Sequence, residues 1–170
     1  MLTWIESLGG PLILMPVTVA ERWNGAGRIG PEHPDLRSII RASKEWISVV
    51  PIWGSDCFVL GGDIAIATVV RGDNKDAYVV RAVACGADKS VTSLVTSTSA
   101  EKKHFESMNA QVEGQMVLFD PLLQSQAENS IVLSCEPGKQ RIDTYVLEDD
   151  DNTLIVHHLF KVLLSDTTQN

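Results

Sequence analysis

The sequence predicts an α+β fold, mainly antiparallel β-sheet with two or so short helices, organised as a single domain over residues 1–165 with a flexible C-terminal tail at 166–170. Three observations predict it. The 170 residues are 44% hydrophobic and 21% charged, which is enough apolar side chain to offset the ordering entropy of one compact core. Short apolar runs rich in Val, Ile and Leu recur between clusters of Gly, Pro, Asn and Asp, the pattern of strands joined by turns. Helical spacing of apolar residues shows in two short stretches, and no repeat of solenoid length is present.

Gly9-Gly10-Pro11 punctuates the start, and the apolar run from Leu12 to Val17 reads as a buried first strand. The segment from Trp23 to Pro34 is too rich in Gly and Pro for regular structure, an irregular connection of the kind that often carries function. Asp35 is placed to cap a short helix in which Leu36, Ile39, Ile40 and Ser43 share one face, with Arg37, Arg41 and Lys44 outward. Trp46 to Val50 then reads as a strand with Trp46 in the core. Pro51 limits its pairing, and Trp53-Gly54-Ser55-Asp56 turns into Cys57 to Leu60 as a hairpin. Gly61-Gly62-Asp63 and Gly72-Asp73-Asn74-Lys75 delimit two more strands, at 64–70 and 76–85.

Asp88 is placed to cap the second helix, where Ala87, Val91, Leu94 and Val95 share a face, although its many Ser and Thr hydroxyls compete for backbone hydrogen bonds. The last third reads as antiparallel sheet, with strands at 115–119, 130–134, 141–147 and 154–162. Glu136-Pro137-Gly138-Lys139 suits a tight reversal, and Glu148 to Asn152 forms a hairpin loop. Both alternating faces of the last strand are mostly apolar, which places it centrally in a sheet covered on both sides.

Charge narrows the classes of partner. With 22 acidic residues against 14 basic, the net charge is −8, and Lys102-Lys103 is the basic cluster the sequence offers. A phosphate backbone would be repelled, so nucleic acid is disfavoured, whereas a basic protein would be steered in. The same acidity also serves solubility. Cys57, Cys85 and Cys135 are odd in number, far apart and each next to apolar residues, which predicts buried free thiols in a reducing compartment. No basic residue precedes the apolar Leu12-Ile13-Leu14-Met15 run and no apolar stretch approaches a membrane span, so the expectation is a cytoplasmic protein with no membrane partner.

The residues that usually carry chemistry are not arranged to do so. His157 and His158 are adjacent in a strand, so their side chains point to opposite faces and cannot share a metal or substrate, and His33 has no paired Cys or His. Gly25 to Gly30 spells GxGxxG, but no strand leads into it and Pro31 and Pro34 stand where a helix should start. Ser55 lacks the second Gly of a nucleophile elbow, and Glu148 to Asp151 lacks the Gly and distal Glu of a calcium loop. No catalytic residue, metal or cofactor is predicted. Trp23 and Trp53 sit beside Gly in loops, where large amphipathic rings serve as binding anchors, and Glu148, Asp149, Asp150 and Asp151 offer negative charge to a basic cleft. These six are the candidate partner-binding residues.

One set of segments carries a family resemblance: Trp4 to Leu12 with its Gly9-Gly10-Pro11, Trp23-Asn24-Gly25, Leu60-Gly61-Gly62-Asp63, Val117-Leu118-Phe119-Asp120 and Pro137-Gly138-Lys139. In these the chain resembles the immunity protein twenty-one family of bacterial polymorphic-toxin systems, over most of its length. It departs from the family at Asp120-Pro121-Leu122 and in part at Gly62-Asp63-Ile64-Ala65. The resemblance implies a protein that binds a cognate toxin domain and blocks it, with no catalytic residues. The net charge adds the expectation of a basic, nuclease-like toxin whose nucleic-acid substrate the acidic surface imitates. Two alternatives remain open at this point: a small-ligand or regulatory domain with a pocket in the sheet, and a hydrolase with a site assembled from Asp56, Asp120 and His158.

Overall fold

The apolar runs pair into two sheets. The computed structural model describes residues 1–25, 34–64, 66–72, 76–97, 99–123, 125 and 129–161. His33, the GxGxxG stretch beyond Gly25 and the predicted tail at 166–170 lie outside the described residues. In chain order the elements are β1 (Trp4–Glu6), β2 (Leu12–Pro16), α1 (Val17–Ala20), α2 (Pro34–Ala42), β3 (Ser48–Ile52), β4 (Ser55–Leu60), β5 (Ile66–Arg71) and β6 (Ala77–Ala84). They continue with α3 (Asp88–Thr96), β7 (Lys103–Val112), β8 (Gln115–Phe119), β9 (Ser130–Ser134), β10 (Gly138–Glu148) and β11 (Thr153–Lys161). One sheet has the order β1-β5-β6-β11-β10-β7 and the other β3-β4-β2-β8-β9, with every pairing antiparallel.

The strands explain the layering, because most central ones are apolar on both faces. Leu12, Leu14, Phe58, Leu60, Met116, Leu118 and Leu133 of the five-stranded sheet meet Ile5, Ala67, Val79, Ile142 and Leu159 of the six-stranded sheet in a shared core. Each fully buried Leu, Ile or Phe there contributes roughly 1.5–3 kcal/mol of transfer free energy. The opposite face of the five-stranded sheet, with Ile13, Met15, Val59 and Phe119, is covered by Val19, Trp23, Leu36 and Ile39 from α1, α2 and the chain between them. The outer face of the six-stranded sheet, with Val80, Ala82, Leu154 and Val156, is covered by Val91 and Val95 of α3. The result is a sandwich of two sheets between helical layers.

The predicted fold class, the β3–β4 hairpin and the β10–β11 hairpin are all present, and β11 lies between β6 and β10 with both faces covered. Several details differ for physical reasons. Trp46 precedes β3 and is 38% exposed, because its ring packs on Phe105 at 5.8 Å instead of entering the core. Helix α2 starts at Pro34, whose fixed φ suits a first helical position, so Asp35 lies in the first turn and not at the cap. Ala87 occupies the cap of α3, and the Asp88 carboxylate turns away to accept Leu2 N at 2.8 Å and Trp4 Nε1 at 3.1 Å. Glu136 to Lys139 carries the chain from one sheet to the other, since β9 and β10 belong to different sheets. Cys57 is buried, but Cys135 is only partly so and Cys85 is exposed, which corrects the expectation of three buried thiols.

Candidate functional site

Four of the segments singled out in the sequence converge at one end of the five-stranded sheet. Asp120, fully buried just after β8, accepts Leu8 N at 2.7 Å and Leu122 N at 2.8 Å, so one carboxylate ties together the loops at 7–11 and 120–123. Ser7 Oγ accepts the Gly10 amide at 2.9 Å and donates to the Gly10 carbonyl at 2.6 Å, which shapes the Gly9-Gly10-Pro11 turn. Trp23 Nε1 donates to Pro121 O at 2.8 Å, and Gly25 lies so close to Leu122 and Leu123 that a Cβ there would come within 2.8 Å of their backbone. Gly61 is tighter still, because a Cβ would meet Glu45 O at 2.1 Å and Ser43 O at 2.2 Å.

Behind the Gly61-Gly62-Asp63 turn stands Arg81, which the sequence did not single out. Its guanidinium is fully buried between the sheets and donates to the carbonyls of Gly61 and Ile64, the latter at 2.7 Å. Burial lowers its pKa to about 10, so it stays cationic and holds the turn through backbone dipoles. Around these loops lies a groove of about 460 Å3, walled by Pro11, Leu36, Ile39, Ile40 and Leu122 with Ser43 and Asp63 as its polar groups.

Five of the six sequence-predicted partner-binding residues fall at two different tips, and Trp23 lies in the chain that follows α1. At the β3–β4 hairpin, Trp53 and Gly54 form a two-residue loop with both φ values positive, 50° and 90°, the type I′ pattern that favours Asn-Gly. A Trp held in the left-handed region is strained by about 1–3 kcal/mol. Trp53 is 42% exposed, and its ring leans on the Trp23 ring at 6.2 Å and is covered on one side by the Arg22 guanidinium at 4.5 Å. Trp23 itself is only 2% exposed, so the accessible ring of the pair is Trp53.

The acidic loop lies elsewhere. Asp56 near Trp53 accepts Gln111 N at 3.1 Å, and Gln111 is one step from the Gly138 end of β10, whereas Glu148 is the last residue of that strand. About 30 Å of extended strand therefore separates the two tips. Glu148, Asp149, Asp150 and Asp151 are all exposed. Asp149 Oδ1 accepts Asn152 Nδ2 at 2.7 Å, Asn152 N at 2.8 Å and Asp151 N at 2.9 Å, and these bonds hold its pKa below the ordinary carboxylate value.

The histidines divide as the strand alternation predicts. His157 faces the inter-sheet core, 3.0 Å from Thr144 Oγ1, and burial pushes its pKa down to about 3, with the Arg81 charge adding to the effect. His158 faces outward, stacked on Tyr78 at 4.3 Å and 3.1 Å from Asp76. Asp56, Asp120 and His158 are thus committed to separate neighbours on separate elements and are not brought together. Burial also raises the thiols of Cys57, to about 12, and Cys135, to about 11, which keeps both protonated at neutral pH. Among the described residues no group of three or more His, Cys, Asp and Glu is placed to hold a metal ion.

Residues 3–153 match a family model described as Immunity protein 21. No curated protein and no solved structure matches the chain.

Proposed function

The chain belongs to the Immunity protein 21 family, and from that premise we propose that it neutralises the cognate toxin domain of a bacterial polymorphic-toxin system by binding it. The family match over residues 3–153 carries this reading. The mechanism is occlusion by a rigid partner: a sandwich with little freedom to lose presents preformed surface, so little of the binding free energy goes into ordering it. An interface of ordinary size removes roughly 800 Å2 from each partner, with a desolvated aromatic centre setting the dissociation rate and the surrounding charge setting the association rate.

The net charge of −8 supports a basic toxin domain, such as a nuclease, and the exposed Glu148 to Asp151 tip supports a role in long-range steering. The site of action we propose is the cytoplasm, where the three free thiols stay reduced. Co-expression with the variable C-terminal domain of a large secreted protein, where an adjacent reading frame encodes one, tests the reading. Rescue of growth together with co-purification of the two chains is expected. Growth arrest as severe as with an empty vector would sink it.

The groove favours a second reading, a small-ligand or regulatory domain, because about 460 Å3 of mainly aliphatic lining with Ser43 and Asp63 at hand matches the size and chemistry of small-molecule sites. Native mass spectrometry of the purified protein discriminates: a stable mass excess lost on Ile40→Trp, at the exposed wall of the groove, would favour the ligand.

A further inference from the structure

We infer that Trp53 is the anchor with which this chain engages a basic face of its toxin, an inference that rests on the toxin-binding function proposed above. The turn geometry gives no reason for a Trp at position 53. A two-residue loop with positive φ at both positions is met without strain by Asn-Gly, and a bulky aromatic is among the least suited residues for the first position. The backbone of the turn disfavours the ring, which its contacts with Trp23 and Arg22 only partly offset. Backbone strain kept at an exposed position points to a role outside the fold.

The surroundings fit an anchor. Trp53 is held from beneath by Trp23, which is itself fixed through Nε1 to Pro121 O at 2.8 Å, and from the side by Arg22. The ring is therefore positioned before any partner arrives, which limits the rotamer entropy lost on binding. The residue remains 42% exposed, and Trp is among the residue types enriched at binding hot spots.

The chemistry of the partner follows from the rim. Asp56 is in the same hairpin, and Glu113 accepts Ser55 Oγ at 2.7 Å from the facing turn. Burial first, and the charges of Asp56 and Glu113 next, raise the pKa of the Cys57 thiol in the same hairpin. An aromatic anchor with the Asp56 and Glu113 carboxylates in its own and the facing turn fits an apolar pocket bordered by Lys or Arg. In this arrangement Arg22 on the ring keeps Trp53 itself from being the cation site.

The decisive experiment compares Trp53→Asn with wild type. Asn keeps the turn chemistry and removes the ring, so the variant should fold with an unchanged or higher Tm. Calorimetry against the purified toxin domain that the co-expression above identifies should show Kd raised at least tenfold. A second variant, Asp56→Asn with Glu113→Gln, should slow association several-fold at low salt and leave it unchanged at high salt. Binding by wild type with Kd within twofold in Trp53→Asn overturns the anchor and leaves the toxin-binding function standing. If wild type itself shows no binding, the function and the anchor fall together. Loss of a wild-type dimer in Trp53→Asn with toxin affinity intact would also overturn the inference, because the ring would then serve self-association.

Discussion

The two hairpin tips are built on opposite principles. The β10–β11 tip is relaxed: Asp149 caps its own turn with three hydrogen bonds, and the buried Asn152 takes the Gly86 amide at 2.9 Å, which ties the loop to the chain that enters α3. Its central acidic residue thus has a sufficient local explanation. At the β3–β4 tip the central residue works against its own backbone, and its supports come from Trp23 and Arg22, far from the turn in sequence. A side chain that satisfies its neighbours is informative about folding, and one that strains them is informative about what it is kept for.

Removing the support tests this contrast most severely. Trp23→Ala empties a site that is 2% exposed and breaks the bond to Pro121 O, and should cost about 3–5 kcal/mol in urea unfolding. Trp53→Asn should cost little or nothing, since relief of the left-handed strain offsets the lost contacts. Equal losses at the two positions would mean that Trp53 is a structural ring and that the tips do not differ in kind.

The relaxed tip has its own test, and its sign follows from linkage. The Asp149 carboxylate is stabilised in the folded state by Asn152 first and Asp151 next, so its folded pKa lies below the ordinary 3.8. Its contribution is fully present above that ordinary value and is lost as pH falls through the folded one. Asp149→Ala should therefore lower Tm at pH 7, with the gap to wild type narrowing on acidification below about 4. Toxin affinity should stay near wild type at pH 7. An Asp149→Ala protein with unchanged Tm and much weaker binding would reverse the roles assigned to the two tips.

Much of the fold was legible because the central strands are short apolar runs bounded by turn residues, and β8 and β9 coincide with the runs that mark them. Strand β7 was not, because it is an edge strand: Lys103, His104, Asn109 and Gln111 face solvent, and only Met108, Ala110 and Val112 keep the alternation toward the core. Phe105 is also displaced from that alternation. The register steps from Thr144 opposite Glu106 to Tyr145 opposite His104, which leaves Phe105 as the extra residue of a bulge turned toward Trp46. Strand β1 is too short for its period to show. At the site, composition and position marked Trp53, but its strain is a property of φ, and the clamp on the loops comes from Asp120 and Arg81, which gain meaning only once distant loops meet.

The smallest expected effect separates charge from turn geometry at the acidic tip. Replacing Asp149 along with its neighbours would confound the two, since its carboxylate builds the loop, whereas Asp150 and Asp151 are exposed and their carboxylates hold no bond the turn depends on. Asp150→Asn with Asp151→Asn should leave Tm unchanged and slow toxin association about two- to threefold at low ionic strength, with the difference gone near 0.5 M salt, where the screening length is only about 4 Å. Stopped-flow association across a salt series checks this. Dissociation should not change, because the tip lies about 30 Å along the sheet from Trp53. A faster dissociation rate would place these carboxylates inside the interface and make the acidic tip, not the strained one, the surface that touches the toxin.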